Sequence, residues 1–242
     1  MTSMHSDPDD NAPHWSRAGL WTGARYMLPL VPGTAVFAMA FGTVAAQKGL
    51  TLTEATLMSA LVFAGASQLV AMEIWTNPMT SALVATLAVV TGVVNMRLLL
   101  MTASLRPWLG PLPAWQSYPT LLLTTDASWL IAMRYRAQGG SDASVVLGSG
   151  LLLWLLWVPA SALGYLLGAL IAEPARFGLD LIMPIFFVAM LVPLWRGPRR
   201  AIPWAVAGLV ALLVQYLVPG FWFIIAGALA GAVCGGFIDE PQ

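Results

Sequence analysis

Apolar residues run in blocks of about twenty along this 242-residue chain, separated by short clusters of charge, proline and glycine. The blocks cover residues 26–46, 55–75, 79–101, 118–134, 144–170, 179–195, 201–217 and 221–237. A helix rises ~1.5 Å per residue, so ~20 apolar residues cross the ~30 Å hydrocarbon layer of a bilayer. The pattern predicts an all-α polytopic integral membrane protein with eight transmembrane helices. Residues 1–20 read as a polar, disordered tail carrying Asp7, Asp9 and Asp10, and residues 21–238 as the transmembrane domain. The first block is longer than a cleavable leader and more blocks follow it, so it reads as a retained span.

Basic residues orient the chain. With the N-terminus inside, seven arginines (Arg17, Arg25, Arg134, Arg136, Arg196, Arg199 and Arg200) face the cytoplasm, against Lys48, Arg106 and Arg176 outside. That bias predicts both termini in the cytoplasm. Most tryptophans stand near block ends, as an aromatic belt requires, but Trp129, Trp154 and Trp157 do not and are expected to face the protein interior.

Composition narrows the function. The chain is 59% apolar and 9% charged, with eleven basic and eleven acidic residues, so it offers no basic surface for nucleic acid. Both histidines, His5 and His14, lie in the tail, and Cys234 is the only cysteine. Neither a metal site nor a disulfide framework is expected, nor any other cofactor. No phosphate-cradling Gly-x-x-x-x-Gly-Lys motif occurs, so uphill transport would draw on an ion gradient or a separate ATPase.

Polar and helix-breaking positions inside the blocks are the candidate chemistry, because a helix in lipid keeps such groups only to pack, hydrogen-bond or bind. Pro29 and Pro32 with Gly33 open the first block, and the ring of each proline frees a backbone carbonyl. Phe63-Ala64-Gly65-Ala66-Ser67-Gln68 sets small residues ahead of a buried amide, with Gly65 and Gln68 about 60° apart on one helical face. Asn95 and Arg97 are about 200° apart on a regular helix, so only one lines a given path unless the helix is irregular. Arg97 alternatively snorkels to the interface. Asp126 follows Thr124-Thr125 and is the sole charge between Tyr118 and Met133. Left unpaired at that depth, a carboxylate takes up a proton and becomes a proton carrier; paired with Arg97, it locks helices together. Two glycine stripes, Gly164/Gly168 and Gly227/Gly231/Gly235, are packing faces for another helix of this chain or of a partner.

Taken in order, Leu28-Pro29, Ala40-Phe41-Gly42, Gly65-Ala66-Ser67-Gln68, Val94-Asn95-Met96-Arg97, Thr125-Asp126, Met183-Pro184 and Ala226-Gly227 resemble the AzlC family of branched-chain amino acid exporters. The resemblance implies a permease of the cell inner membrane that exports leucine, isoleucine, valine or other hydrophobic amino acids. It also implies proton coupling and a small AzlD-type membrane subunit as partner. Two positions depart from the family pattern: Leu98 and Ala127 stand where a histidine and a glutamate are common. Any proton work then rests on Asp126.

A zwitterionic substrate needs an acceptor for its ammonium, donors for its carboxylate and an apolar wall. The expected binding residues are Pro32, Gly65, Ser67, Gln68, Asn95, Arg97 and Asp126, meeting in one water-reachable chamber, with Asp126 also the proton-coupling group. Phe63 and Trp129 would wall the side-chain pocket. The alternative is a non-transporting scaffold subunit whose glycine stripes hold a partner. An intramembrane enzyme is not expected, since no paired carboxylates and no histidine lie in the blocks.

Overall fold

In the computed structural model, residues 13–170, 188, 195, 197–218 and 222–238 are described, and the secondary structure among them is helical, without strands. The predicted span 179–195, with Asp180 and the Met183-Pro184 motif, falls almost wholly outside the described residues. Four described helices are long and apolar enough to cross a membrane: Arg17–Gln47, Ser81–Ser104, Ser144–Ala169 and Pro198–Leu217. The chain divides into two compact units, Met1–Gln68 with Asn95–Ala172, and Leu69–Val94 with Glu173–Gln242.

The first unit is built on a pair of parallel helices. Helix α1 (Arg17–Met27) runs through a short 3-10 turn (Leu28–Leu30) into α2 (Val31–Gln47), and both pack along α9 (Ser144–Ala169). The contact is backbone on backbone. A Cβ at Gly23 would strike the Val145 carbonyl, one at Gly42 the Ser161 carbonyl, one at Gly148 the Leu20 carbonyl and one at Gly164 the Met39 carbonyl. Thr43 Oγ1 donates to the Gly164 carbonyl at 3.0 Å across the same seam. Small residues at the contact are how helices associate in lipid, where apolar side chains gain little by leaving an equally apolar solvent. Leu155, Leu163 and Leu166 on the outer side of α9 are exposed, as lipid-facing positions should be.

Residues 13–20, expected to belong to the tail, are instead ordered at one end of this pair. Ser16 caps α1 by accepting from the Gly19 amide at 3.0 Å, and its hydroxyl donates to Asp142, immediately before α9. Asp142 Oδ1 also accepts from the Ser144 amide at 3.0 Å and the Ser16 amide at 3.3 Å, while His14 Nε2 lies 3.6 Å from Oδ2. Burial alone would raise this carboxyl's pKa, but the hydrogen bonds from Ser144 and Ser16 outweigh it and hold the group below the ordinary carboxylate value.

Two predicted spans are not continuous helices. Residues 55–75 fold as α3 (Leu52–Val62) and α4 (Gly65–Ile74), divided where Phe63 takes a left-handed φ of 43°. Such a conformation is strained for a bulky residue and persists only when its surroundings enforce it. Residues 118–134 fold as α7 (Ala114–Leu122) and α8 (Asp126–Ala137), divided at 123–125. The α8 start was readable in principle. Thr125 and Ser128 form a reciprocal capping box, the local arrangement that begins a helix.

The fourth block is not a crossing. The chain descends α5 (Ser81–Ser104), turns through α6 (Arg106–Leu109) and enters α7, whose Ser117 Oγ donates to the Leu109 carbonyl at 2.9 Å. Helix α8 then returns to the end it started from. Trp129 Nε1 donates to Ser104 Oγ at 2.8 Å, Trp108 stacks on Tyr135, and Trp108 Nε1 donates to the Ser141 carbonyl at 2.9 Å. Leu105, Trp108, Leu109, Ala132, Ala143 and Val146 close into one buried cluster at that end. Helices α7 and α8 therefore form a re-entrant hairpin. Each is well short of the ~20 residues a crossing needs. Arg106, expected outside, shares an end with Arg134 and Arg136 through the hairpin and with Arg17 through the start of α9, where Trp108 reaches Ser141 and Gly19 meets Asp142, and Lys48 caps the opposite end of α2.

In the second unit, α10 (Pro198–Leu217) and α11 (Trp222–Ile238) pack antiparallel. A Cβ at Gly227 would lie 2.8 Å from the Ala207 carbonyl, and one at Gly231 would lie 3.2 Å from the Pro203 carbonyl. Both glycine stripes are thus filled by this chain's own helices.

In a Cys234→Ser background, Arg106→Cys and Gly139→Cys are expected to react with a membrane-impermeant maleimide from the same side of the membrane; labelling from opposite sides would restore a full fourth crossing. The depressed pKa of Asp142 stabilises the fold above its unfolded value of ~3.9, and that contribution is lost as pH falls through the lower folded value. Thermal unfolding in detergent should show Asp142→Asn less stable than wild type at pH 7 and the gap closing below pH ~4.

Candidate functional site

Both helix breaks meet α5, and they meet it through different side chains. At the first, Asn95 Nδ2 donates to Ser67 Oγ at 3.0 Å, and Ser67 in turn donates to the Ala64 carbonyl at 2.9 Å, satisfying a group at the break itself. At the second, Arg97 Nη2 lies 2.9 Å from Asp126 Oδ2. Because α5 is a regular helix, Asn95 and Arg97 point about 200° apart, and each serves one break. The single chamber expected for Gln68, Asn95 and Asp126 is thus replaced by two separate pairings. Arg97 does not snorkel.

Asp126 is the first residue of α8, where the helix dipole and free amides favour a negative charge. Its side chain and that of Arg97 are 38% and 43% exposed, so neither is enclosed by the described residues. Oδ2 is held by Arg97, while Oδ1 is buried without a hydrogen-bond partner among the described residues. A carboxylate with one bound and one idle oxygen is still able to accept a further donor.

Gln68 is the other incomplete group. It is fully buried, and neither its Oε1 nor its Nε2 has a partner among the described residues. An amide kept from both water and protein costs roughly 1–3 kcal/mol by protein mutational measures. Gly65, one turn earlier, is where the ring pair of Phe37 and Trp157 closes against the backbone, the two rings meeting edge-on at 5.3 Å. Phe63 is buried at the break. Trp129 is elsewhere, bound to Ser104 in the end cluster, and does not wall this region.

Pro32 does not join either group. It lies exposed near the start of α2, and the backbone it disturbs is satisfied locally: Arg25 and Leu28 carbonyls accept the Leu28 and Val31 amides, and the Leu30 carbonyl accepts Thr34 Oγ1 at 2.9 Å. Trp157 was singled out by sequence only for lying away from a span end. That position is the one signal of its place beside Gly65.

An all-α polytopic membrane protein, with two interrupted helices joined to a third by polar contacts, is the class these features define. The AzlC family profile matches residues 29–171, which contain every group described at this site, and the chain belongs to the AzlC family. It is also 27% identical over 223 residues, 90% of this chain and 94% of the other, to a protein of Archaeoglobus fulgidus described as an uncharacterized membrane protein. No solved structure matches the chain.

If the Arg97–Asp126 contact holds α8 to α5, Arg97→Gln and Asp126→Asn should each lower stability, and the double substitution should lose less than the two single losses summed. Denaturation in mixed micelles is expected to give a coupling of about 1 kcal/mol; strict additivity would mean that the two side chains do not interact.

Proposed function

We propose that this chain is a secondary exporter of branched-chain or other hydrophobic amino acids in the inner membrane, coupled to protons and working with a small AzlD-type membrane subunit. The observation that carries the reading is the ion pair between Arg97 and Asp126 at the tip of a hairpin that enters the membrane without crossing it. A structural ion pair could sit anywhere along two helices. This one closes a helix break, with an idle carboxylate oxygen beside it. Interrupted helices at the bilayer midplane are where secondary transporters bind substrate and coupling ions.

Coupling follows from the charges. With Asp126 ionised, its attraction to Arg97 holds the hairpin tip against α5. A proton on Asp126 removes that attraction and frees the hairpin tip to move against α5. Ser67, Gln68 and Asn95 line the other break and offer neutral hydrogen-bonding groups to a substrate head group. Within the first unit, Arg17, Arg106, Arg134 and Arg136 share the end where the hairpin enters, which supports placing that end in the cytoplasm. The scaffold alternative relied on free glycine stripes, and both stripes are occupied within the chain.

Vesicles loaded with labelled leucine, with the partner subunit present and absent, provide the test. Wild type should release leucine faster under an imposed pH gradient, and Asp126→Asn should lose that acceleration by about tenfold, equivalent to ~1.4 kcal/mol. Efflux indifferent to both gradient and substitution would remove proton coupling, and a panel of amino acids would rank the substrates.

A further inference from the structure

The incomplete hydrogen bonding near the first break extends to a residue outside the expected site. Trp157 is 4% exposed, and its indole Nε1 has no hydrogen-bond partner among the described residues. A buried indole N–H ordinarily finds one. Its neighbour Trp154, one turn earlier on α9, does: Nε1 donates to the Ala60 carbonyl at 2.9 Å.

Gly65 ties the idle indole to the idle amide. A Cβ there would stand 2.5 Å from Trp157 Cη2 and 3.1 Å from Cζ2, and Cζ2 is two covalent bonds from Nε1. Gln68 is three residues further along α4 on the same face, with about 5–6 Å between such Cβ positions. Gly65 thus has the Trp157 ring against it and the buried Gln68 amide one turn further along the same face. Between them the two side chains offer one indole donor, an amide NH2 and an amide carbonyl.

We propose that Trp157 and Gln68 together hold the head group of an α-amino acid: the carboxylate accepts from Trp157 Nε1 and Gln68 Nε2, and the ammonium donates to Gln68 Oε1. The site is neutral and leaves the Arg97–Asp126 pair intact. Binding and coupling are then carried by different breaks. The Phe37 ring, edge-on to Trp157, supplies the adjoining apolar surface for the substrate's side chain. This deepens the exporter reading by naming its head-group site, but it concerns binding and not the direction or driving force of transport.

Trp157→Phe is the informative change, because it keeps a ring against Gly65 and Phe37 and deletes the N–H. Equilibrium binding of labelled leucine to the purified full-length protein in lipid nanodiscs should weaken about tenfold, as expected for losing one hydrogen bond of ~1.4 kcal/mol. Gln68→Leu should weaken it at least as much, and Asp126→Asn far less at fixed pH. In vesicles Trp157→Phe should raise the KM and leave the maximal rate and its pH profile within twofold. Leucine affinity unchanged in a Trp157→Phe protein of wild-type thermal stability would overturn the proposal, as would wild-type protein that binds no leucine. Binding that depends on Trp157 in a protein that shows no efflux would sustain the head-group site and defeat the exporter reading instead.

Discussion

Backbone contact between α9 and the α1–α2 helix sets the level of everything else in the first unit. Glycines at 23, 42, 148 and 164 let main chain meet main chain along the whole length of the seam, so neither helix slides without a carbonyl striking an α-carbon. With that register fixed, α9 acts as a ruler. Its Asp142 end takes the N-terminal segment, Gly150 meets the hairpin tip at Leu123, Trp154 and Trp157 meet the first break, and Tyr165 donates to the Leu50 carbonyl at the far end. A seam made of greasy side chains would not hold position so tightly, because in lipid such contacts cost little to exchange.

Interrupting a helix inside a bilayer exposes carbonyls and amides to a solvent that cannot satisfy them, so breaks survive only where protein groups or a water-lined space take over. Each break here has its own solution. At the first, Ser67 donates to the Ala64 carbonyl and is itself fixed by Asn95. At the second, Thr124 Oγ1 donates back to the Thr120 carbonyl and Thr125 with Ser128 caps the new helix. Side chains whose hydrogen bonds remain unfilled after this accounting, the Gln68 amide and one oxygen of Asp126 among them, are the positions left to chemistry.

Sequence made the membrane class and the polar residues legible, and it made the path of the chain illegible. Asn95, Arg97, Ser67 and Asp126 drew notice because lipid gives little reason to keep them, and the two-residue spacing of Asn95 and Arg97 on a regular helix makes them face apart, each with its own partner. Hydropathy, however, measures how apolar a segment is and not which way it runs. Nine residues of α7 and twelve of α8 sum to the length of one crossing, so a hairpin and a span look alike. The left-handed turn at Phe63 carries no glycine or asparagine to announce it, and Gly65, two residues on, reads as ordinary packing. Pro32 failed for the opposite reason: a proline signals freed carbonyls, but a 3-10 turn recovers them locally.

A hairpin that begins and ends at one surface has a consequence for how the protein is made. Read by apolar length alone, α7 and α8 together present the insertion machinery with one crossing's worth of chain, so length does not dictate the bend between them. What holds the bend is contact with α9, synthesised later, whose Gly150 accommodates the tip at Leu123. The hairpin's final form thus depends on a segment that follows it in the chain.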